Sequence, residues 1–355
     1  MDRRGPLRVA QIGAGSIAIP PPAYGAVEDY IFNLSRELGR LGHSVSVLNW
    51  VPPLRSYRAR ELLSAATLPI ELRSTKFDVL HAHSPITAEA LNGGRRPYVF
   101  TSHSRYWLTT QGSLDRVRRF RDEIAVREAT GVVALNPKVV PLFQRIRREA
   151  PDSERVACIP FGVDTVRFQP LPSFAARAGV VGLGAVTEHK RFDVLAGAAK
   201  RAGTSASIIG PPGDERLMAE LRSLDPDLSF AGEVSAEELP RRLASGRVFV
   251  HPSDSELASV ATIQAMACGL PVVGSDLVDG IVTHGVDGFI VDHRAPFETR
   301  VEETAGHLRR LLADDAVCER MGAKARETAL RNHSWDRIAT RISDFYRLIL
   351  ALGPS

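Results

Sequence analysis

Short apolar runs alternate with amphipathic stretches from one end of the chain to the other. In the first half, the runs that predict strands are Arg8–Ile12, Ser44–Asn49, Val79–His81, Tyr98–Thr101, Gly131–Leu135 and Arg155–Ile159. In the second half they are Gly179–Leu183, Ala206–Ile209, Leu228–Phe230, Val248–Val250, Pro271–Gly274 and Gly288–Val291. Because helical stretches separate the strands, the pattern predicts an α/β protein with parallel sheets and crossover helices.

The predicted helices alternate with these strands. The first is Val27–Leu41, whose apolar positions recur at helical spacing, and Gly42 is expected to end it. Those of the second half are predicted at Arg191–Ala202, Ala236–Ala244, Thr262–Cys268, Val301–Ala313 and, at the end, the long amphipathic Trp335–Leu352. Between the halves, Gly162–Phe174 contains Pro170 and Pro172 and is predicted to be a linker. We therefore expect two doubly wound, Rossmann-like domains that face a central cleft, where parallel strands end and ligands bind.

Length and composition fit this organisation. The 355 residues exceed one ordinary core, and 44% hydrophobic with 24% charged residues is typical of globular proteins. No apolar run is long enough for a membrane span, and Met1–Gly15 lacks the apolar core of a signal peptide. Cys158, Cys268 and Cys318 are too widely spaced for a metal-ligand pattern. We expect a cytoplasmic protein without a bound metal.

The charge leaves two interpretations open. A net charge of +4 is consistent with a mild excess of solvated arginine, or with a surface that attracts anionic substrates or lipid headgroups. The second interpretation leaves room for peripheral association with the inner face of a membrane. A nucleic-acid partner is not expected, since there is neither an aromatic-interleaved basic stripe nor a zinc or helix-turn-helix signature.

A glycine-rich turn near the start is similar to a dinucleotide-binding fingerprint. Gly13-Ala-Gly15-Ser-Ile-Ala18 follows a predicted strand. In that fingerprint a helix begins at once, so that its N-terminus can hold pyrophosphate. Here three prolines, Pro20 to Pro22, delay the helix to about Val27. The turn therefore argues against a nicotinamide cofactor, and we expect no cofactor.

The segment His251–Val273 carries the strongest chemical signal. Glu256 lies in a loop just before a predicted helix, where its carboxylate could accept hydrogen bonds from sugar hydroxyls. The backbone N–H groups of Ser259, Val260 and Ala261 would open that helix and face a diphosphate. Gln264, eight residues after Glu256, is expected about two turns in, where it could reach a ribose. The alternative interpretation is an acid that caps a core helix.

This segment resembles the family 4 retaining glycosyltransferases, which have the GT-B fold. Their pattern is Glu, seven residues and Glu, followed by Ala-X-Ala-X-Gly-X-Pro-Val-Val. Glu256 matches the first acid, Gln264 replaces the second, and Ala265–Val273 matches the rest. The resemblance implies an acceptor-binding domain over residues 1–165, a nucleotide-sugar-binding domain over 166–334, and a final helix, 335–355, that returns to the first domain.

Further family motifs place the remaining donor-site residues. In Gly182–Arg191, Lys190 matches a lysine that clamps the donor diphosphate, Ala185 stands in place of the family's arginine, and Arg191 is one residue late. Arg191 is expected to substitute in part for the missing arginine, although the family has glycine at its position. We also place Val234 among the donor-binding residues.

In the first half, Pro21–Glu28 resembles the family's Tyr-Gly-Gly-X-Glu loop, in which Gly25 is kept and Ala26 replaces the second glycine. Asp78–His83 resembles the family's His-X-His strand end, where we favour a structural role for His81. Val99–His103 resembles the Thr-X-His segment, so His103 is expected beside the transferred sugar.

The resemblance implies metal-independent transfer with retention from a nucleotide sugar to an acceptor, which could be a lipid, a glycan or a small natural product. Glu256 and His103 would orient the sugar, and Lys190 would stabilise the leaving group. Departures at Ala26, Ala185 and Gln264 leave a second class open, a non-catalytic sugar-nucleotide binder or partner subunit. A nucleotide-sugar epimerase of the same fold is a third alternative. Slow donor hydrolysis would distinguish a transferase from a binder.

Overall fold

The chain divides into two compact units. The computed structural model describes residues 5–21, 25–72, 76–92, 96–108, 112–149 and 153–353. One unit comprises Met1–Phe161 together with Trp335–Ser355, and the other is Gly162–Ser334. Each unit is built on its own parallel sheet and is described separately.

The first unit contains a six-stranded parallel sheet in the order β2-β1-β3-β4-β5-β6. Its strands are β1 (Arg8–Ile12), β2 (Ser44–Leu48), β3 (Val79–Ala82), β4 (Tyr98–Thr101), β5 (Gly131–Ala134) and β6 (Val156–Cys158). The helices between them are α1 (Ala26–Arg40), α2 (Tyr57–Glu71), α3 (Pro85–Glu89), α4 (Gly112–Glu128) and α5 (Val140–Arg147). Register pairs Gln11 of β1 with His81 of β3, which brings two polar side chains into the centre of the sheet.

The second unit repeats the architecture, with the sheet order β12-β11-β10-β7-β8-β9. Its strands are β7 (Val180–Leu183), β8 (Ala206–Ile209), β9 (Ser229–Gly232), β10 (Val248–His251), β11 (Val272–Ser275) and β12 (Gly288–Val291). Its helices are α6 (Phe192–Ala202), α7 (Glu215–Leu224), α8 (Leu239–Ala244), α9 (Val260–Ala267), α10 (Phe297–Leu312) and α11 (Asp315–Asn332). Helices α6 and α10 pack together over a core that includes Leu195 and Val301.

The last helix, α12 (Trp335–Leu352), is part of the first unit and packs against α1. Its apolar face also reaches β5, where Gly131 leaves room for it. A Cβ added at Gly131 would lie 2.6 Å from Ile349 Cδ1 and 2.9 Å from Phe345 Cζ. The glycine at the start of β5 therefore allows the close approach of the helix to the sheet.

The predicted strands agree with the structure to within two residues at either end. The bounds of Arg8–Ile12, Tyr98–Thr101, Ala206–Ile209 and Gly288–Val291 are those predicted. Helix starts differ more: α9 begins at Val260 rather than Thr262, because Ser259 caps it, and α8 begins at Leu239, next to Pro240. Among the described residues, no helix combines the length and apolar character needed to cross a bilayer.

Candidate active site

In the second unit, two predicted site residues form an ion pair. Lys190 ends a short turn after β7, and Glu256 lies between β10 and α9, so that neighbouring strands bring them together. Lys190 Nζ lies 2.5 Å from Glu256 Oε1, and the side chains are 19% and 12% exposed. Burial raises the pKa of Glu256, but Lys190 and His251 together outweigh it and hold that pKa well below its usual range. The carboxylate is therefore an anion.

His251, the last residue of β10, supports this carboxylate. Its Nε2 lies 3.0 Å from Glu256 Oε1 and 3.1 Å from Ser259 Oγ, and its ring stacks on Phe249. Burial lowers the pKa of His251, so the ring is neutral and carries one hydrogen. Because a carboxylate only accepts, that hydrogen is on Nε2 and is donated to Glu256. Sequence analysis did not identify His251, although it opens the motif that contains Glu256.

The start of α9 lies next to this pair. Ser259 is the N-cap, and its Oγ accepts from the Thr262 backbone N at 3.4 Å and lies 2.8 Å from Thr262 Oγ1. Val260 is the first helical residue, and the first N–H groups of a helix have no intrahelical acceptor. Gln264 is half-buried and lies just over one turn into the helix, not about two turns as expected.

Val234 is half-buried on the loop after β9. Strand β9 is at the sheet edge, separated by β8 from β7, the strand that precedes Lys190. Lys190 and Glu256 follow β7 and β10, which are neighbours in the sheet. Val234 follows β9, two strands away from β7.

Arg191 adopts a left-handed backbone conformation, with φ of 52°. This conformation favours glycine, and it explains why the resembled family has glycine at the position. The guanidinium bonds to Asp193, with Nε and Nη2 at 3.0 and 2.9 Å, and to Asp254 at 2.8 Å. Asp254 also accepts from the buried Arg300 at 2.8 Å. Arg191 and Arg300 together fix the loop that leads to Glu256.

In the first unit, three histidines form a hydrogen-bonded cluster. His103 follows β4 and is half-buried, with Nε2 3.2 Å from His83 Nδ1. His83 Nε2 lies 2.7 Å from Gln11 Oε1. Burial lowers the pKa of His103 to about 3 and that of His83 well below its usual range, so both rings are neutral.

His81 occupies the interior of the same cluster. Its Nδ1 lies 2.6 Å from Tyr346 Oη, and its Nε2 lies 2.6 Å from Thr101 Oγ1. The side chain is fully buried, and burial lowers its pKa to about 3. These contacts support the structural role that sequence analysis favoured for His81.

The residues on either side of His103 are anchored by a buried acid. Ser102 Oγ donates to Asp122 Oδ1 at 3.1 Å, and Ser104 Oγ donates to Asp122 Oδ2. Trp107 Nε1 donates to Ser102 Oγ at 2.7 Å. Asp122 thus holds the segment that presents His103, and no sequence motif indicated it.

Gly25 and Ala26 lie at the start of α1. Gly25 is the N-cap and Ala26 the first helical residue, while Tyr24 of the predicted loop lies outside the described residues. A Cβ added to Gly25 would lie 2.8 Å from Glu28 Oε2 and 2.9 Å from Pro21 Cβ. Local packing therefore requires a small residue at Gly25. Both residues lie in the first unit with His103, whereas the other predicted site residues lie in the second.

A group of potential metal ligands lies at one edge of the second sheet, and no sequence motif indicated it. Oxygen or nitrogen atoms of Asp276, Asp292 and His293 lie within 4.8 Å of one another at the ends of β11 and β12. His293 Nδ1 lies 2.5 Å from Asp276 Oδ1. Asp292 is exposed, and exposed acids commonly cluster without an ion. The sequence shows only Asp292 and His293 as neighbours, and the pairing of β11 with β12 is what brings Asp276 to them.

Two family models match the chain. One, described as Glycosyltransferase Family 4, matches residues 27–167, and another, described as Glycosyl transferases group 1, matches residues 177–314. Alpha-maltose-1-phosphate synthase of Mycolicibacterium smegmatis is 26% identical over 385 residues, which cover 94% of this chain and 97% of that protein.

Solved structures are similar over nearly the whole chain. Sucrose-phosphate synthase from Thermosynechococcus elongatus has a TM-score of 0.79 at 18% identity, over 98% of this chain and 100% of that one. Anabaena HepE, in complex with UDP-glucose, has a TM-score of 0.69 at 18% identity, over 95% of this chain and 98% of that one.

Proposed function

The chain belongs to the family 4 glycosyltransferases and has the GT-B fold, and from this we propose that it transfers a hexose-type sugar from a nucleoside diphosphate sugar to an acceptor hydroxyl with retention of configuration. The observation that carries the proposal is the Lys190–Glu256 pair beside the start of α9. Together the pair and the start of α9 provide a cation, an anion and backbone N–H groups without an intrahelical acceptor, at the ends of the neighbouring strands β7 and β10. A diphosphate and a sugar require these three kinds of group.

In this proposal Lys190 binds the donor diphosphate and Glu256 accepts hydrogen bonds from the sugar. The first N–H groups of α9 and Lys190 stabilise the charge that develops on the leaving phosphate. Gln264 contacts the ribose, and the remaining donor-binding residues are Val234, Gly25 and Ala26. His103 accepts or donates a hydrogen bond at the transferred sugar. The UDP-glucose complex of the Anabaena relative in fold supports a nucleotide-sugar donor.

Retention requires the acceptor to bond on the face that the diphosphate leaves. We propose that the acceptor hydroxyl attacks on this face, and that the departing phosphate takes the hydroxyl proton. The new glycosidic bond then replaces the sugar–phosphate bond, and the products are the glycoside and the nucleoside diphosphate. Neither a metal ion nor a cofactor has a role in this scheme.

The test is a screen of UDP-, GDP- and ADP-sugars for release of nucleoside diphosphate, with and without candidate acceptors. We expect slow release with one nucleotide in water alone, and its loss in Glu256→Gln. Proton NMR of the product would then show an α-linkage from an α-configured donor. Binding without any release would favour the second candidate function, a non-catalytic binder, for which the exposed Ala185 in place of an arginine is the specific observation.

A second proposal concerns location. Helix α4 exposes Val117 and Phe120, at 56% and 59%. Arg116 and Arg118 flank Val117, and Arg119 and Arg121 flank Phe120. Apolar side chains flanked by arginines suit the surface of an anionic bilayer. We expect the protein to sediment with phosphatidylglycerol vesicles at low salt and less so after Phe120→Ser. Equal sedimentation of the two proteins would remove α4 from membrane binding.

A further inference from the structure

We propose that Gln11 is a positioning residue for His103: acting through His83, it fixes the His103 tautomer that carries hydrogen on Nε2 and offers the Nδ1 lone pair to a ligand hydroxyl. That the ligand is a sugar rests on the proposed function. The tautomer itself is a property of the free protein. Gln11, His83 and His103 all lie in the first unit.

The hydrogen positions follow from Gln11 outwards. Gln11 Oε1 can only accept, so His83 Nε2, at 2.7 Å, must donate to it. The His83 ring is neutral and has a single ring hydrogen, which leaves His83 Nδ1 as an acceptor. His103 Nε2, at 3.2 Å from that atom, must therefore be the donor. The neutral His103 ring then has a bare Nδ1, which makes no hydrogen bond to the described part of the chain.

Tyr346 of α12 holds the other end of the Gln11 amide. Gln11 Nε2 donates to Tyr346 Oη at 2.9 Å, and the same hydroxyl lies 2.6 Å from His81 Nδ1. Gln11 is fully buried on β1, so no solvent competes for its amide. If its oxygen and nitrogen exchanged places, His83 Nε2 would become an acceptor and His103 would carry its hydrogen on Nδ1. One side chain in the middle of the sheet therefore selects between two tautomers of His103.

The His103 tautomer determines which ligand groups can bond to its Nδ1. With Nδ1 bare, His103 accepts a hydrogen bond, so the matching ligand group must be a donor such as a hydroxyl. An ether oxygen or a deoxy carbon at that position would leave Nδ1 without a partner. The tautomer thus restricts which sugars bind well.

The test is a long-range proton–nitrogen NMR correlation of the free protein labelled with ¹⁵N-histidine, with His83→Gln and His103→Gln for assignment. We expect His83 and His103 to be Nε2–H tautomers in the wild type. Gln11→Glu should keep both, because a carboxylate also only accepts. Gln11→Met should shift both rings toward a mixture. A wild-type His103 with hydrogen on Nδ1, or a His103 unchanged by Gln11→Met, would overturn the proposal.

If Gln11→Met does not fold, the wild-type and Gln11→Glu spectra still decide, since the carboxylate of the latter variant cannot donate to His83. If the protein transfers no sugar, the tautomers of the free protein still test the inference separately from the proposed function. Where transfer is measured, Gln11→Met should lower kcat/KM by about tenfold, the value of one hydrogen bond, and Gln11→Glu should restore most of it.

Discussion

Lys190 and Glu256, the two side chains of the second unit proposed to meet opposite ends of a donor, are bonded to each other in the free protein at 2.5 Å. In the proposed donor complex, the diphosphate would compete with Glu256 for the ammonium, and a sugar hydroxyl would compete with Lys190 for the carboxylate. In the free protein, the pair neutralises both charges. Both side chains are largely buried, so leaving either charge without a partner would cost free energy.

Lys190→Ala should weaken binding of the matching nucleoside diphosphate by about 1–3 kcal/mol, the value of a hydrogen bond to a charged group. Calorimetry measures this directly. Lys200→Ala is the matched control, because Lys200 is exposed on α6 and its distance to Asp227 is 3.8 Å. Equal affinities of Lys190→Ala and the wild type would show that Lys190 does not bind the diphosphate.

Glu256→Gln should separate binding from transfer. The amide keeps the size of the side chain but removes the charge that holds Lys190, so we expect nucleoside diphosphate affinity to be unchanged or higher. Transfer should fall by about a hundredfold or more, as expected for loss of a charged contact at the reacting sugar. Glu238→Gln at the N-cap of α8, where Glu238 pairs with Arg242 at the surface, is the control. Transfer at the wild-type rate in Glu256→Gln would remove the carboxylate from catalysis.

Strand β1 was predictable from the sequence, whereas the role of its residue Gln11 was not. Apolar periodicity located β1 at its observed ends, because backbone pairing and burial depend on patterns that are local in sequence. The role of Gln11 depends on His83 and Tyr346, which only the sheet register and the packing of α12 bring to it. No local pattern contains that information.

The site residues divide in the same way. Lys190 and Glu256 were identified from motifs, and the structure brings them together, while their roles stay predictions. His251 was missed because a histidine that ends a strand has many possible explanations until its contact with Glu256 is seen. For Arg191, the family's glycine was a recognisable signal of positive φ, but the carboxylates that hold the arginine could not be inferred from it.

Chelation should leave transfer unaffected, since we expect Lys190 and α9 to supply the positive charge that a metal would bring. The measurement is the rate of transfer in EDTA, followed by addition of Mn²⁺ or Mg²⁺. A loss restored by either ion would contradict the prediction. In that case Asp292→Asn would show whether the Asp276, Asp292 and His293 group is responsible.

Asp122 should make stability fall as pH rises. Burial raises the pKa of Asp122 to about 6, although the hydrogen bonds from Ser104 and Ser102 act in the opposite direction. The folded protein therefore holds the proton more tightly than the unfolded chain. Between its usual pKa of 3.8 and about 6, unfolding therefore releases a proton, and the free energy of unfolding decreases with pH. Above that range the decrease is complete, at up to about 3 kcal/mol.

Asp122→Asn removes this ionisation without changing the shape of the side chain. The variant should gain stability relative to the wild type from pH 4 to 6, and the difference should stay constant above pH 6. Urea unfolding at several pH values measures it. A relative stability that falls with pH would mean that the serines stabilise the Asp122 anion more than burial penalises it.

The missing arginine at Ala185 provides the sharpest test of whether the donor site works. Ala185→Arg restores the family pattern and should tighten donor binding by up to about 3 kcal/mol if two hydrogen bonds form with the diphosphate. The sequence suggested that Arg191 compensates for the loss. The structure gives its guanidinium two other partners, Asp193 and Asp254. We therefore expect Arg191→Ala to act mainly on the loop that carries Glu256.

This expectation is tested by combining the two substitutions. If Arg191 keeps its carboxylate partners, the effects of Ala185→Arg and Arg191→Ala on donor affinity should add to within about 0.5 kcal/mol. Arg191→Gly should be more stable than Arg191→Ala by about 1 kcal/mol, because glycine relieves the left-handed backbone. A larger coupling would show that Arg191 leaves its carboxylates and binds the donor in place of the missing arginine. If neither change alters affinity and no donor is ever hydrolysed, the non-catalytic alternative accounts for the chain better than transfer does.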